Sequence, residues 1–161
     1  MALAFEPGEP GLIDRPPRPT AEGVLSRPLL RRLATVGILL AAGTLGTFLW
    51  SLQRGYDLDT ARTMAMTQMV VFQFFHVFNC RALDTSVFRV PFFSNRFLFL
   101  ALLAAAGAHM LVVYLPAMQR LFRTTALGPG DWLVLTAVAT LVIMGGEADK
   151  WWHARAGVRL A

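Results

Sequence analysis

Residues 33–52 read LATVGILLAAGTLGTFLWSL, a stretch with no charged side chain. At about 1.5 Å of rise per residue, a helix of this length covers the roughly 30 Å hydrocarbon core of a bilayer. A soluble core rarely needs so long an unbroken apolar run, so the stretch predicts a transmembrane helix. Three more runs follow. Thr63–Cys80 contains no Asp, Glu, Lys or Arg. Phe97–Gln119 is the third, and Trp132–Gly146 the fourth, which ends where Glu147, Asp149 and Lys150 intervene. Trp151 and Trp152 mark the far interface of that fourth run. Composition agrees with the runs: 55% of residues are hydrophobic and 16% charged, with a mean hydropathy of +0.51, against about a quarter charged in soluble domains. The reading is an all-α, polytopic membrane protein: a four-transmembrane-helix bundle with spans at about 33–52, 63–80, 97–119 and 132–152.

The flanks differ in kind. Six of the nine prolines fall at or before Pro28, which excludes one regular helix over residues 6–28 because each interior proline removes a donor and clashes with the preceding turn. Residues 1–32 read as a Pro- and Arg-rich cytoplasmic segment, and 153–161 as a cytoplasmic tail. Met1–Phe5 is too short for the apolar core of a secretory leader, so insertion is expected to be specified by the helices themselves. Basic residues give the orientation. Arg15, Arg18, Arg27, Arg31, Arg32, Arg81, Arg89, Arg96, Lys150, Arg155 and Arg159 fall on one side of the predicted spans; Arg54, Arg62, Arg120 and Arg123 fall on the other. The positive-inside tendency then places both termini in the cytoplasm, with Trp50, Tyr56, Tyr114 and Trp132 forming an aromatic belt at the outer interface. The net charge of +5 is spread between apolar runs, which suits lipid headgroups and topology and does not suggest a nucleic-acid partner. A single cysteine, Cys80, excludes a disulfide or a cysteine-based metal cluster within the chain.

Few residues offer chemistry. The pairs Ala42/Gly46 and Ala104/Ala108 have the spacing of close helix-packing faces. In the second run Gln73, His76 and Asn79 recur every three residues, spanning an arc of roughly 120° on one helix side. Polar groups in hydrocarbon face a partner helix or a watered cavity. Gln73 sits near mid-span, and its carbonyl oxygen suits a hard cation; interhelical hydrogen bonding is the structural alternative. His109 reads as a neutral, hydrogen-bonded residue, with a proton relay as the alternative. Glu147 and Asp149 are placed to pair with Lys150. No phosphate-cradling glycine loop, HExxH or nucleophile elbow occurs, so no cofactor is expected on this chain.

The order of short motifs resembles the P-type cation-transporting ATPases, in particular the calcium-pump branch. Ala2-Leu-Ala-Phe-Glu-Pro7 and Arg15-Pro16-Pro17-Arg18 look like the end of that family's sixth helix and the loop after it. Arg62-Thr63-Met64-Ala65 and the run Gln73 to Arg81 resemble its eighth helix. Phe93-Ser94-Asn95 resembles the start of the ninth, and Asp131-Trp132-Leu133 with Glu147-Ala148-Asp149-Lys150 the two ends of the tenth. The resemblance implies that the chain is the C-terminal portion, helices seven to ten, of a ten-helix pump. Such a pump, using ATP and Mg, couples hydrolysis through a phosphorylated aspartate to cation movement; the Asp-Lys-Thr-Gly motif for that step is absent here. The implied partners are the bilayer, the remaining helices and cytoplasmic domains, and the transported cation, and the implied location is the plasma membrane of a prokaryote. Gln73 falls where two-site calcium pumps carry glutamate and single-site pumps glutamine, which favours one-ion transport and leaves calcium, manganese and sodium open. A freestanding four-helix scaffold or regulatory subunit, or a non-functional pump remnant, are the rival readings.

Overall fold

The computed structural model describes residues 27–81, 86–87, 91 and 93–155. Most of the N-terminal segment, the last six residues and most of the second connection lie outside them. The described chain is helical, with the order α1 (Arg27–Gln53), α2 (Leu58–Arg81), α3 (Arg96–Tyr114), α4 (Pro116–Phe122) and α5 (Pro129–Arg155); no strand occurs among the described residues.

Helix starts follow local chemistry. α1 begins six residues before the predicted span. Its Pro28 is tolerated because the first turn of a helix leaves its N–H groups unused anyway. Asp57 accepts a hydrogen bond from Thr60 N at the start of α2 (3.2 Å). At α3, Asn95 is the N-cap and its Oδ1 accepts from Leu98 N at 2.9 Å. Asn95→Ala should therefore cost about 1 kcal/mol; a denaturant titration of the membrane-reconstituted protein showing no loss would remove the cap from the account. Pro129 opens α5, and Asp131 Oδ2 reaches back to accept from Gly128 N at 2.8 Å, half of a capping box. The α1–α2 turn needs a left-handed residue, and Gly55 provides it at φ +85°.

The third predicted run, 97–119, is not one helix. α3 stops at Tyr114, Leu115 is extended, and Pro116 starts the short α4. Proline lacks the N–H that would continue the ladder and pushes the preceding residue out of the helical region. α4 ends on Arg123, in left-handed conformation at φ 53°.

Contacts between the helices fix their directions. Gly43 lies under Phe72, Thr47 Oγ1 is 3.3 Å from Gln68 Oε1, and Ser51 Oγ is 3.3 Å from Met64 Sδ. As numbers rise on α1 they fall on α2, so the two run antiparallel. Gln68 contacts Leu135 O and Asn79 contacts Val142 O; both series rise, so α2 and α5 run parallel. α2 is thus the central element, with α1 and α5 against it. One buried cluster joins Val71 and Phe72 to Ala139 and Val142; another joins Met64, Val113, Leu127 and Leu135, flanked by Trp50 and Trp132.

α1, α3 and α5 are long and apolar enough to cross a membrane over Leu29–Gln53, Arg96–Tyr114 and Pro129–Trp152. Only 6% of the α1 window and 11% of the α3 window is buried within the chain, so their apolar surfaces face outward, as the bilayer demands and water forbids. α2 has 24 residues, roughly 36 Å of helix, and is less apolar. Four spans therefore do not follow from length and hydropathy alone.

Candidate functional site

The polarity of α2 is concentrated inward. Gln68, fully buried, donates from Nε2 to Leu135 O at 3.2 Å and lies at hydrogen-bond distance from Thr47 Oγ1. Thr67 Oγ1 and His109 Nε2 are 3.1 Å apart, and the Trp132 ring meets the imidazole edge-on at 6.4 Å. Thr63 Oγ1 donates to Asp59 O and accepts from Thr125 N at 3.0 Å, while Thr60 and Thr125 hydroxyls meet at 3.0 Å. These groups bind α2 to α1, α3 and α5 and to the connection before α5. A hydrogen bond within lipid is worth about 0.6–2 kcal/mol, so the set matters through its number. The reading of His109 as a hydrogen-bonded structural residue agrees with its contacts. Gln68 and the threonines were not singled out in the sequence. The spacing Thr60, Thr63, Thr67 was the available signal, since three- and four-residue steps place them on one face.

The predicted arc of Gln73, His76 and Asn79 is divided by the fold. Asn79 is buried: its Nδ2 donates to Val142 O at 2.8 Å, its backbone carbonyl accepts from Arg32 at 3.4 Å, and its amide lies against Gly146. His76 is half-buried, its Nε2 3.5 Å from Cys80 Sγ. Gln73 is exposed and hydrogen-bonds to no described residue. It shares its stripe with Met69 and Cys80, which are also exposed. Four- and seven-residue steps make these one continuous helix face, and the described residues leave it uncovered. No group of three or more metal-ligating side chains occurs among the described residues, so Gln73 cannot by itself enclose an ion.

The small-residue pairs make no close helix contact among the described residues. Ala42, Gly46, Ala104 and Ala108 are exposed; the close approaches are instead at Gly43, under Phe72, and at Gly146, against Asn79.

At the end where α1 finishes and α5 begins, the predicted aromatic residues do gather. Trp132 Nε1 donates to Tyr114 Oη at 2.7 Å, Tyr114 donates to Leu127 O, and Arg54 lies over the Trp50 ring. Tyr56, in the turn outside the spans, donates to Asp131 Oδ1 at 2.8 Å; that bond and the carboxylate's charge hold its phenol pKa above the ordinary value. At the opposite end Glu147 Oε1 accepts from Lys150 Nζ at 2.9 Å and from Val87 N at 3.0 Å, tying the second connection to α5. Arg81 donates to Pro91 O and Ser94 Oγ in the same connection.

Residues 1–152 match the family described as cation transporting ATPase, C-terminus. The probable cation-transporting ATPase F of Mycobacterium tuberculosis (strain ATCC 25618 / H37Rv) is 40% identical over 149 residues, covering 92% of this chain and 16% of that protein. The calcium-transporting ATPase of Bacillus subtilis (strain 168) is 34% identical over 149 residues, covering 90% and 17%. The calcium-transporting ATPase type 2C member 2 of Mus musculus is 31% identical over 154 residues, covering 95% and 16%. The chain thus spans about a sixth of the length of the curated relatives it matches.

Proposed function

The chain belongs to the family of cation-transporting ATPase C-terminal regions, and from that premise we propose that it is the membrane-embedded C-terminal unit of an ATP-driven cation pump, bracing the transport helices and bordering the ion pathway with Gln73. The observation that carries this reading is the uncovered stripe of Met69, Gln73 and Cys80. The inward side chains of Gln68, Thr67 and Thr63 hydrogen-bond to other described elements of this chain, whereas the mid-helix amide of Gln73 is exposed and points away from them. An amide facing hydrocarbon is costly, so the stripe requires a polar neighbour. The remaining helices of the pump supply one, and a cation passing between them and α2 gains one neutral oxygen ligand from Gln73. ATP, Mg and the phosphorylated aspartate belong to the other domains. Calcium is the leading cargo, because relatives at 31–34% identity carry that ion in their names.

The test uses the complete pump reconstituted in vesicles. Gln73→Ala should weaken apparent cation affinity roughly fivefold, the equivalent of about 1 kcal/mol for one neutral ligand. Gln73→Glu should change the affinity or its pH dependence more strongly, since a carboxylate there must find a cation or take up a proton. His76→Ala should have the smaller effect. Normal transport by both well-folded Gln73 variants would remove the residue from the pathway.

In the same reading α2 is a fourth span and both termini are cytoplasmic, in the plasma membrane of a prokaryote. With Cys80 replaced by serine, single cysteines at positions 57 and 128 should react with an impermeant thiol reagent from outside, and those at 23 and 157 only from inside. Outside labelling of either terminal position would overturn the topology.

A further inference from the structure

The chain between α3 and α5 does not prolong the span. α3 has 19 residues, roughly 28 Å of helix, which uses up the hydrocarbon core by itself. Its last residue, Tyr114, accepts from Trp132 Nε1 in the aromatic group at this end, and such aromatics mark the level where hydrocarbon meets headgroups. α4 starts two residues later, at Pro116. Two hydrogen bonds fix where it goes. Gln119 Nε2 donates to Val113 O at 2.7 Å, and Thr124 Oγ1 donates to Val112 O at 2.6 Å. A helix running straight on would carry residue 124 about 18 Å beyond residue 112. The chain instead folds back onto the last turn of α3, so α4 is held beside that turn, at the level of the aromatic group. Its outer side is apolar and basic together. Leu121 is 70% and Phe122 53% exposed, and Arg120 and Arg123 are exposed beside them.

We propose that α4 is an interfacial foot that binds the phospholipids of the leaflet at this end, with Leu121 and Phe122 among the first acyl carbons and the Arg120 and Arg123 guanidinium groups on lipid phosphates. Water disfavours two large exposed apolar side chains, and hydrocarbon disfavours two arginines; the headgroup boundary accommodates both. The phosphate groups there have the charge the arginines need. The surface is also continuous with the outward apolar surface of α3, whose membrane window is only 11% buried within the chain. The foot gives α3 a fixed depth. A helix with so little packing inside the chain is otherwise free to slide along the bilayer normal, whereas α4 resists entry into the hydrocarbon with its arginines and exit into water with Leu121 and Phe122. The proposal rests on α3 being a membrane span and is independent of the role given to Gln73.

The test uses the complete pump in phospholipid vesicles, with Cys80 and any other reactive cysteine replaced by serine and a nitroxide spin label attached through Leu121→Cys or Phe122→Cys. Collision rates with oxygen, which concentrates in hydrocarbon, and with a chelated nickel ion, which stays in water, give the depth of each label; spin-labelled phospholipids calibrate the scale. Both labels should lie on the hydrocarbon side of the phosphate plane and within about 10 Å of it. A label as open to nickel as one in bulk water would overturn the proposal, as would one near the bilayer centre. Suppressed collisions with both reagents would show that another part of the pump covers α4, and would overturn it equally. A second measurement needs no variant: a phospholipid with a diazirine in its headgroup, irradiated with the wild-type pump, should leave adducts that peptide mass spectrometry maps to residues 116–123. No adduct there would refute the lipid contact whether or not the labelled variants assemble.

Discussion

Gly146→Leu in α5 is expected to break the α2–α5 contact at the Asn79 end, with a loss of about 2–4 kcal/mol from overpacking and a lost hydrogen bond. A Cβ at position 146 would lie 2.6 Å from Asn79 Nδ2 and 2.7 Å from its Cγ and Oδ1. The amide is the far end of a side chain, but it is pinned: moving it breaks the 2.8 Å bond to Val142 O and leaves a buried donor unpaired. The matching control is Gly46→Leu on the outer face of α1, where a Cβ meets nothing within 4 Å; it should leave the chain close to wild-type stability. Asn79→Ala should partly rescue Gly146→Leu by clearing the space, an interaction that a double-mutant cycle reads directly. Detergent-denaturation curves of the four proteins in bicelles supply the measurement. Equal stability of Gly146→Leu and Gly46→Leu would mean that Gly146 does not mark a close approach.

The same pair of glycines shows what the sequence could and could not convey. Apolar runs located the centres of α1, α2 and α5 and most of α3, because crossing a bilayer imposes a length and an absence of charge that are visible residue by residue. The break at Leu115–Pro116 was also written in the chain, in the proline itself, but was outweighed by the apolar residues on either side of it. Inward and outward faces were another matter. In a soluble helix polar residues mark the outside; in lipid the outside is as apolar as the inside, so Ala42/Gly46 and Gly43 are equivalent by composition. Only the neighbour distinguishes them: Phe72 lies over Gly43, and Gly46 meets nothing. For α2 the soluble rule is reversed. Its buried side carries Thr63, Thr67, Gln68 and Asn79, because polar groups there find partners that lipid cannot give. Three-residue spacing placed Gln73 and Asn79 in one arc, yet an arc of roughly 120° is wide enough for one edge to be buried and the other to face away. The starts of α3 and α5 carry their own local signals in Asn95, Pro129 and Asp131, since capping depends on side chains a few positions apart and not on the membrane; hydropathy alone placed those starts at 97 and 132.

Gly43→Leu should be the more damaging substitution on the other side of α2. The Phe72 ring lies directly over Gly43, with Cε2 2.8 Å from where a Cβ would be and Cζ nearer still. The ring is 1% exposed and belongs to the cluster with Val71, Ala139 and Val142. It therefore cannot retreat without disturbing α5. Displacing a buried phenylalanine forfeits about 3–5 kcal/mol of packing, by comparison with Phe→Ala changes in closed cores. In lipid the loss comes from dispersion contacts, since the displaced ring still finds an apolar surrounding. Unlike a soluble core, then, the chain should remain inserted and helical while α1 and α2 separate. That combination is the diagnostic result: circular dichroism unchanged, and disulfide formation between cysteines placed at positions 47 and 68, in the Cys80→Ser background, strongly reduced by Gly43→Leu. Phe72→Ala added to Gly43→Leu should restore part of the crosslinking, because the leucine then occupies space the ring has left. The consequence for the pump follows from α2's place between α1 and α5. With α1 released, α2 keeps its contacts to α5 but loses the partner that fixes its rotation, and the Gln73 face turns with it. Transport by the complete pump should fall together with the crosslink. Full crosslinking in Gly43→Leu would show that α1 and α2 do not meet through this glycine.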